Sequence, residues 1–197
     1  MAQNLEELLS ELTSGDEARA EAAAKRLAAL QSEQGEALLE ALSALLASPD
    51  VETRWWAVRA LSELDDGRVP SLLTQALNDA DPEVRRCAAL GLRSHPDPQA
   101  IPRLVEMLND ADGLTARLAG DALAAIGGEA VPALLDALQN GRHAARLAAA
   151  RALATLRDKR AIPALFNALD EDSALLEYWA GEGLERMGVG MAFFTPE

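Results

Sequence analysis

Hydrophobic residues recur along the chain with a period of about 31 residues. Four segments begin with a β-branched residue and proline and continue with leucine at the next apolar positions. These segments start at Val69-Pro70, Ile101-Pro102, Val131-Pro132 and Ile162-Pro163. Their prolines are 32, 30 and 31 residues apart, and the one extra residue fits an insertion within 72–78. Proline followed by apolar residues at helical spacing predicts a helix that begins at each of these pairs.

A second set of leucines repeats with the same period. It comprises Leu61, Leu92, Leu123, Leu153 and Leu184, at spacings of 31, 31, 30 and 31 residues. Alanine precedes these leucines at helical spacing, as Ala88 precedes Leu92, so this set marks another helix in each repeat. That helix follows a turn such as 79–82, in which Asp81 is placed to cap it and Pro82 to begin it. Each repeat therefore reads as two helices that must stack on their neighbours to bury their apolar faces.

The composition supports this interpretation. The chain has 41 Ala and 34 Leu among 197 residues, and aromatic residues make up only 4 %. Alanine and leucine are strong helix formers, and small side chains let helices approach closely. An all-β fold is therefore excluded, and thin helices stacked in rows are favoured.

These patterns predict an all-α fold of about six helix-pair repeats in a single domain, residues 1–197. An N-terminal cap helix near 4–13 occupies 1–15, the repeats occupy 16–187, and a C-terminal cap segment occupies 188–197. We expect helix pairs to begin near residues 16, 51, 82, 113 and 142, and a last first helix over 173–187.

The repeat unit resembles a HEAT-like repeat of the phycobilisome-lyase class. The resemblance rests on Asp79-x-Asp81-Pro82-Glu83-Val84-Arg85-Arg86-x-Ala88-x-x-x-Leu92 followed by a Val/Ile-Pro-x-Leu helix, and it extends over residues 16–187. It implies a right-handed α-solenoid. It also implies a ladder of turn Asp and Arg side chains that joins repeats, in which Asp79 and Arg85 match the spacing and Asn140 with Arg146 is a weakened version.

For function, the resemblance most often implies protein–protein binding on a concave face lined by second helices. Some relatives attach or remove bilin chromophores on light-harvesting proteins, others hydroxylate a modified lysine through His-Glu metal dyads, and some repair alkylated DNA. Because sites are grafted onto folds, each of these activities has to be tested against the residues present.

Charge and cysteine content narrow these possibilities. The net charge is −14, and both ends of the chain are acidic. Acidic ends would repel a phosphate backbone, which argues against nucleic-acid binding. One cysteine gives no sign of an oxidising compartment, and no run of apolar residues is long enough for a membrane span. We therefore expect a cytoplasmic protein, a monomer with no nucleic-acid or membrane partner.

Residues suited to catalysis are scarce. The chain has two histidines, His95 and His143, and neither is followed by glutamate, so no metal dyad is present. Cys87 occupies a repeat position shared with Trp56 and Leu118, which predicts an inert core side chain. Gly127-Gly128 lacks the Lys-Ser/Thr sequel of a phosphate-binding loop. We expect no catalytic residue, no cofactor and no metal.

One candidate binding surface is a polar stripe on the second helices. It consists of equivalent positions in four repeats, namely Gln75, Asn78, Glu106, Asn109, Asp136, Gln139, Asn167 and Asp170. We call these eight residues the second-helix stripe. On a stacked solenoid they would line the concave surface, where acids and amides suit the N–H groups and bases of an extended peptide.

Aromatic and basic residues give two further candidates. The pairs Trp55-Trp56 and Tyr178-Trp179 share the same two repeat positions; Trp56 and Trp179 should face the core, whereas Trp55 and Tyr178 are possible interface anchors. In the basic run 142–160, Arg142 and Arg146 share a helix face. They could hold a carboxylate or phosphate, such as a bilin propionate.

The sequence therefore predicts a non-catalytic scaffold or adaptor that binds a protein partner on the concave face. The alternative is a bilin lyase or lyase-like chromophore chaperone acting on phycobiliproteins, although the stripe offers little aromatic surface to a tetrapyrrole. DNA-alkylation repair would need a basic concave face, and Glu106 and Asp136 oppose it.

Overall fold

The computed structural model describes residues 4–170 and 173–189, and these residues form helices joined by short turns, with no β-strand. The helices are α1 (Leu5–Leu12), α2 (Glu17–Leu45), α3 (Val51–Leu61), α4 (Val69–Ala76), α5 (Pro82–Gly91), α6 (Ile101–Leu108), α7 (Gly113–Ile126), α8 (Val131–Asn140), α9 (His143–Leu156), α10 (Ile162–Leu169) and α11 (Ala174–Arg186). Short 3₁₀ turns at Pro98–Ala100 and Lys159–Ala161 precede α6 and α10.

The predicted helix starts are confirmed. Each Val/Ile-Pro pair begins a second helix, and proline stands in the first turn of α4, α6, α8 and α10. The first helices α3, α5 and α7 begin after Asp50, Asp81 and Asp112, whose carboxylates accept hydrogen bonds from backbone N–H groups in the first turn. These side chains satisfy N–H groups that have no partner within the helix.

The first repeat departs from this plan because its two helices are not separated by a turn. They form the continuous helix α2, which is broken only at Gln34, where φ is −134° and ψ is 25°. One turn earlier, the side-chain amide of Gln31 donates to the carbonyl oxygen of Asp65 at 2.6 Å and accepts from its N–H at 3.0 Å. This side chain therefore ties the break in α2 to the turn of the next repeat.

By their internal contacts the helices divide into two compact units, Met1–Gln99 and Ala100–Glu197. In the second unit the first helices α7, α9 and α11 pack side by side as one layer, and the second helices α6, α8 and α10 form the other. The core of both units is built from leucine and alanine, as the composition predicted. The predicted aromatic cap at Phe193 and Phe194 lies outside the described residues.

Side chains join consecutive repeats at their turns, as the resemblance implied. Asp79 receives a bidentate contact from Arg54 of the preceding repeat, at 2.7 and 2.9 Å. Arg85, six residues after Asp79, donates to the carbonyl oxygens of Asp79 and Ala80 in its own turn, each at 2.8 Å. Arg85 thus stabilises the turn of its own repeat, whereas the ion pair with Asp79 is made by Arg54 of the preceding repeat.

Candidate binding faces

All eight residues of the second-helix stripe are exposed. In each repeat the two members are three residues apart; the first lies on the second helix and the second lies at or just after its end, as Glu106 on α6 and Asn109 after it do. In the second unit, helices α6, α8 and α10 lie side by side, and these helices with the residues that directly follow them carry six of the eight stripe residues. These side chains are therefore accessible to a partner, and their role in binding stays a prediction.

Two acidic members of the stripe, Glu106 and Asp136, pair with neighbours close by in the sequence. Arg103 pairs with Glu106 one turn away, and Asn140 donates to Asp136 at 2.8 Å. Exposed pairs of this kind contribute little to stability, so a competing cationic group could replace them at small cost.

Four amide side chains of the stripe make no hydrogen bond to any other part of the described chain: Gln75, Asn78, Gln139 and Asn167. Each amide offers two N–H donors and a carbonyl acceptor. An extended peptide presents the complementary groups along its backbone, and it could bind these amides in place of water.

In the first unit, a groove runs between the second half of α2 and helix α4. Two adjoining cavities of about 380 and 600 Å³ share Ser43 and Leu72 as lining residues. Gln75 and Asn78 line the first cavity, so two stripe residues stand at the groove. The α2 wall was not predicted, because the second half of this helix lacks the Val/Ile-Pro start that marked the other second helices.

The aromatic pairs adopt the same edge-to-face geometry in both places. The ring centroids of Trp55 and Trp56 are 4.8 Å apart, and those of Tyr178 and Trp179 are 5.1 Å apart. Trp56 is buried and Tyr178 is 57 % exposed, as expected, and Trp55 is half-buried. Trp179, which was expected to face the core, is half-buried and lines a pocket together with Ala148 of α9.

The two arginines considered for anion binding differ in their surroundings. Arg142 precedes α9 and is exposed, whereas Arg146 is half-buried and its Nε donates to the carbonyl oxygen of Leu138 at 2.9 Å. Arg146 therefore stabilises the end of α8, and its Nε–H group is already engaged in a hydrogen bond within the protein. Their role as an anion site remains a prediction.

Cys87 and His95 have structural surroundings. Cys87 is buried, and burial raises the pKa of its thiol to about 12, which disfavours the nucleophilic thiolate. The Nε2 atom of His95 lies 3.0 Å from the carbonyl oxygen of Ser62, so the ring links two successive turns. No group of three or more His, Cys, Asp or Glu residues in the described chain is placed to hold a metal ion.

Nor does any helix within 4–170 and 173–189 combine the length and apolar character needed to cross a lipid bilayer.

The family profile described as HEAT repeats matches residues 5–79, 39–124, 69–144 and 107–185. A comparison with curated protein sequences returns no match.

Among solved structures, the complex of CpcE and CpcF of phycocyanin lyase from Nostoc is similar at 25 % identity over 95 % of this chain and 78 % of that one, with a TM-score of 0.58. The Escherichia coli protein YibA is 19 % identical over 92 % of this chain and 70 % of its own, with a TM-score of 0.62. A designed armadillo repeat protein in complex with the peptide (KR)4 is 20 % identical over 94 % and 100 % of the two chains, with a TM-score of 0.61. These likenesses agree with an α-solenoid fold.

Proposed function

The chain belongs to the HEAT-repeat family, whose fold is typical of protein-binding scaffolds, and on that premise we propose that it is an adaptor that binds a partner protein along its second-helix stripe. The observation that supports this proposal is the set of exposed amides, Gln75, Asn78, Gln139 and Asn167, whose hydrogen-bonding groups have no partner in the described chain. The fitting partner is an extended segment that supplies backbone N–H and C=O groups.

The charge of the second-helix stripe indicates which charge the partner segment should carry. The stripe contains Glu106, Asp136 and Asp170 and no basic residue. A basic segment is therefore favoured, because complementary charge speeds association and suppresses acidic competitors. Five of the eight stripe residues lie on helices and the other three lie within two residues of a helix end, so little backbone has to be ordered on binding, and the entropic cost falls mainly on the partner.

The test is an affinity capture from a native-source lysate at about 0.15 M salt, where exposed charges are screened beyond roughly 8 Å. Bound proteins are identified by mass spectrometry, and the most enriched partner is then titrated against purified variants. The variant Glu106→Lys with Asp136→Lys should abolish binding while circular dichroism stays helical. The matched control Glu129→Lys with Glu185→Lys makes the same change in net charge at exposed residues outside the stripe.

The amides have their own test. Gln75→Ala with Asn78→Ala should weaken binding, whereas Gln99→Ala, an exposed amide elsewhere in the first unit, should leave the affinity unchanged. If the charge-reversed variant and its control bind the partner equally well, the assignment of the stripe is wrong. Unchanged affinity in the amide variant would show that the groove between α2 and α4 is not part of the binding site.

A second candidate function is that of a bilin lyase or lyase-like chaperone, and it is favoured by the 25 % identity to the phycocyanin lyase complex. Mixing the protein with a free bilin should then change the visible spectrum of the pigment. Arg142→Ala with Arg146→Ala should reduce that change. An unaltered spectrum would count against this function and leave the adaptor proposal untouched.

A further inference from the structure

The layer of first helices in the second unit carries an apolar surface that faces solvent. Leu114 on α7 is 46 % exposed, and Leu175 and Tyr178 on α11 are 58 % and 57 % exposed. They are three of the six large apolar residues that are exposed within the described chain. Concentration of such residues on one face is typical of an interaction site, whereas scattered exposed apolar residues are ordinary.

The repeat register shows that this surface differs from its counterpart in the first unit. The position held by Leu114 and Leu175 is occupied in α9 by Ala144, and in α3 and α5 by Glu52 and Glu83. Glutamate at this position is compatible with the repeat, so the fold does not require an apolar residue there. Exposed leucine at this repeat position is thus a feature of the second unit.

A pocket of about 220 Å³ opens within this surface. Its floor is the alanine-bearing side of α9, with Ala144 and Ala148, and one wall is the indole of Trp179. The pocket exists because these small side chains stand where bulkier ones would cover the indole. We call it the Trp179 pocket.

Two arginines and no acidic residue line the Trp179 pocket. The guanidinium carbon of Arg151 lies 6.0 Å from the centroid of the Trp179 ring, and this side chain also pairs with Asp121 on α7. Arg117 also lines the pocket and is exposed. Arg151 is therefore held in place by a carboxylate and an aromatic face, while Arg117 offers five N–H donors toward solvent.

We propose that the Trp179 pocket docks an acidic segment of a partner protein, with one apolar side chain inserted against Trp179 and a neighbouring carboxylate at Arg117 and Arg151. The volume supports a single side chain as the occupant, because small-molecule sites usually measure about 300–1,000 Å³. The apolar floor accounts for the inserted side chain, and the two guanidinium groups account for the carboxylate.

This proposal does not rest on the proposed function. The Trp179 pocket lies on the first helices of the second unit, whereas the second-helix stripe lies on second helices and favours a basic partner. An adaptor with both surfaces would hold two partners of opposite charge.

The probe is a synthetic five-residue peptide in which phenylalanine stands between two pairs of acidic residues. Binding is followed by NMR through the indole N–H signal of Trp179, which is assigned by its loss in Trp179→Phe. We expect a saturable shift of this signal at about 0.15 M salt. A peptide with alanine in place of phenylalanine, and one with lysines in place of the acids, should each bind at least about tenfold more weakly.

Variants test the same assignment from the protein side. Ala144→Glu places a carboxylate at the position that Glu52 and Glu83 occupy in other repeats, and it should weaken peptide binding by about tenfold or more. Leu90→Glu, at an exposed leucine of the first unit, is the matched control and should bind as the wild type does. Circular dichroism verifies that both variants fold.

Three outcomes would overturn the proposal. The first is an indole signal that does not move up to about 5 mM peptide. The second is equal binding of the acidic and the lysine-containing peptides, which would indicate an apolar patch with no charge preference. The third is sedimentation that shows self-association abolished by Ala144→Glu, which would make a second copy of this chain the occupant.

Discussion

Arg54 and Asp79 form a bidentate ion pair between the turns of consecutive repeats. Nε of Arg54 lies 2.7 Å from Oδ2 of Asp79, and Nη2 lies 2.9 Å from Oδ1. The third guanidinium nitrogen, Nη1, donates to the carbonyl oxygen of Ser48 at 2.9 Å. With side chains that are only 13 % and 10 % exposed, the pair is shielded from solvent screening and fixes one turn against the next.

Loss of either partner should leave the other charge nearly buried and unpaired. We expect Asp79→Ala and Arg54→Ala each to lower the free energy of unfolding by about 2 kcal/mol. The double variant should lose less than the two single variants combined, by about 1 kcal/mol or more. Urea denaturation of the four proteins measures this coupling, and strictly additive losses would mean that the pair contributes nothing as a pair.

The same pair predicts a pH dependence of stability. Hydrogen bonds from Arg54 hold the pKa of Asp79 below its ordinary value of 3.8. A carboxyl whose pKa is lower in the folded state stabilises the protein above its unfolded pKa, and this contribution is lost as the pH falls toward the folded pKa. The difference in unfolding free energy between wild type and Asp79→Ala should therefore shrink as the pH falls below about 4. A difference that stays constant from neutral to acidic pH would contradict this expectation.

Two glycines of α11 should respond differently to the same substitution. A Cβ at Gly183 would lie 3.0 Å from Cδ1 of Leu165 and 3.2 Å from the backbone Cα of Ala154, whereas a Cβ at Gly181 would lie 3.9 Å from Cδ2 of Leu169. Gly183→Ala should thus destabilise the protein by about 1–3 kcal/mol because helices must move apart. Gly181→Ala should stabilise it by up to about 1 kcal/mol through helix propensity. Thermal unfolding compares the two variants, and a stabilised Gly183→Ala would show that the close approach is easily relaxed.

Cys87 should be unreactive in the folded protein. Burial raises the pKa of its thiol to about 12, so the thiolate fraction at pH 8 is on the order of one in ten thousand. A thiol reagent added at pH 8 should modify it slowly in buffer and rapidly in denaturant. Rapid modification in buffer would indicate that α5 opens on the timescale of the reaction.

The fold was predictable because its signals are local and repeated. Val69 and Ile101 stand before prolines, which are favoured in the first turn of a helix, and Asp81 caps helix α5, which follows α4. The continuous helix through Gln34 was not predicted, since the repeat pattern indicated two helices separated by a turn in this repeat as in the others. A repeat pattern indicates where helices alternate, but the geometry of one irregular junction depends on packing.

The candidate sites were harder to predict for a related reason. Repeat register correctly indicated that the stripe residues are exposed, because exposure follows from position within a helix. The pairing of Arg54 with Asp79 links residues of different repeats, so it depends on how adjacent turns are offset. The Trp179 pocket depends on alanine in α9 leaving the indole of α11 open, and that is visible only when the register positions of three helices are compared side by side.

The junction at Gln34 also affects how the first repeat unfolds locally. In later repeats a turn of several residues separates the two helices, so one helix can fray while its partner stays folded. The two halves of α2 are joined by one non-helical residue, and Gln31 ties that junction to Asp65. We therefore expect opening of either half to displace the other, and the amide protons on both sides of Gln34 to exchange with solvent as a single foldon.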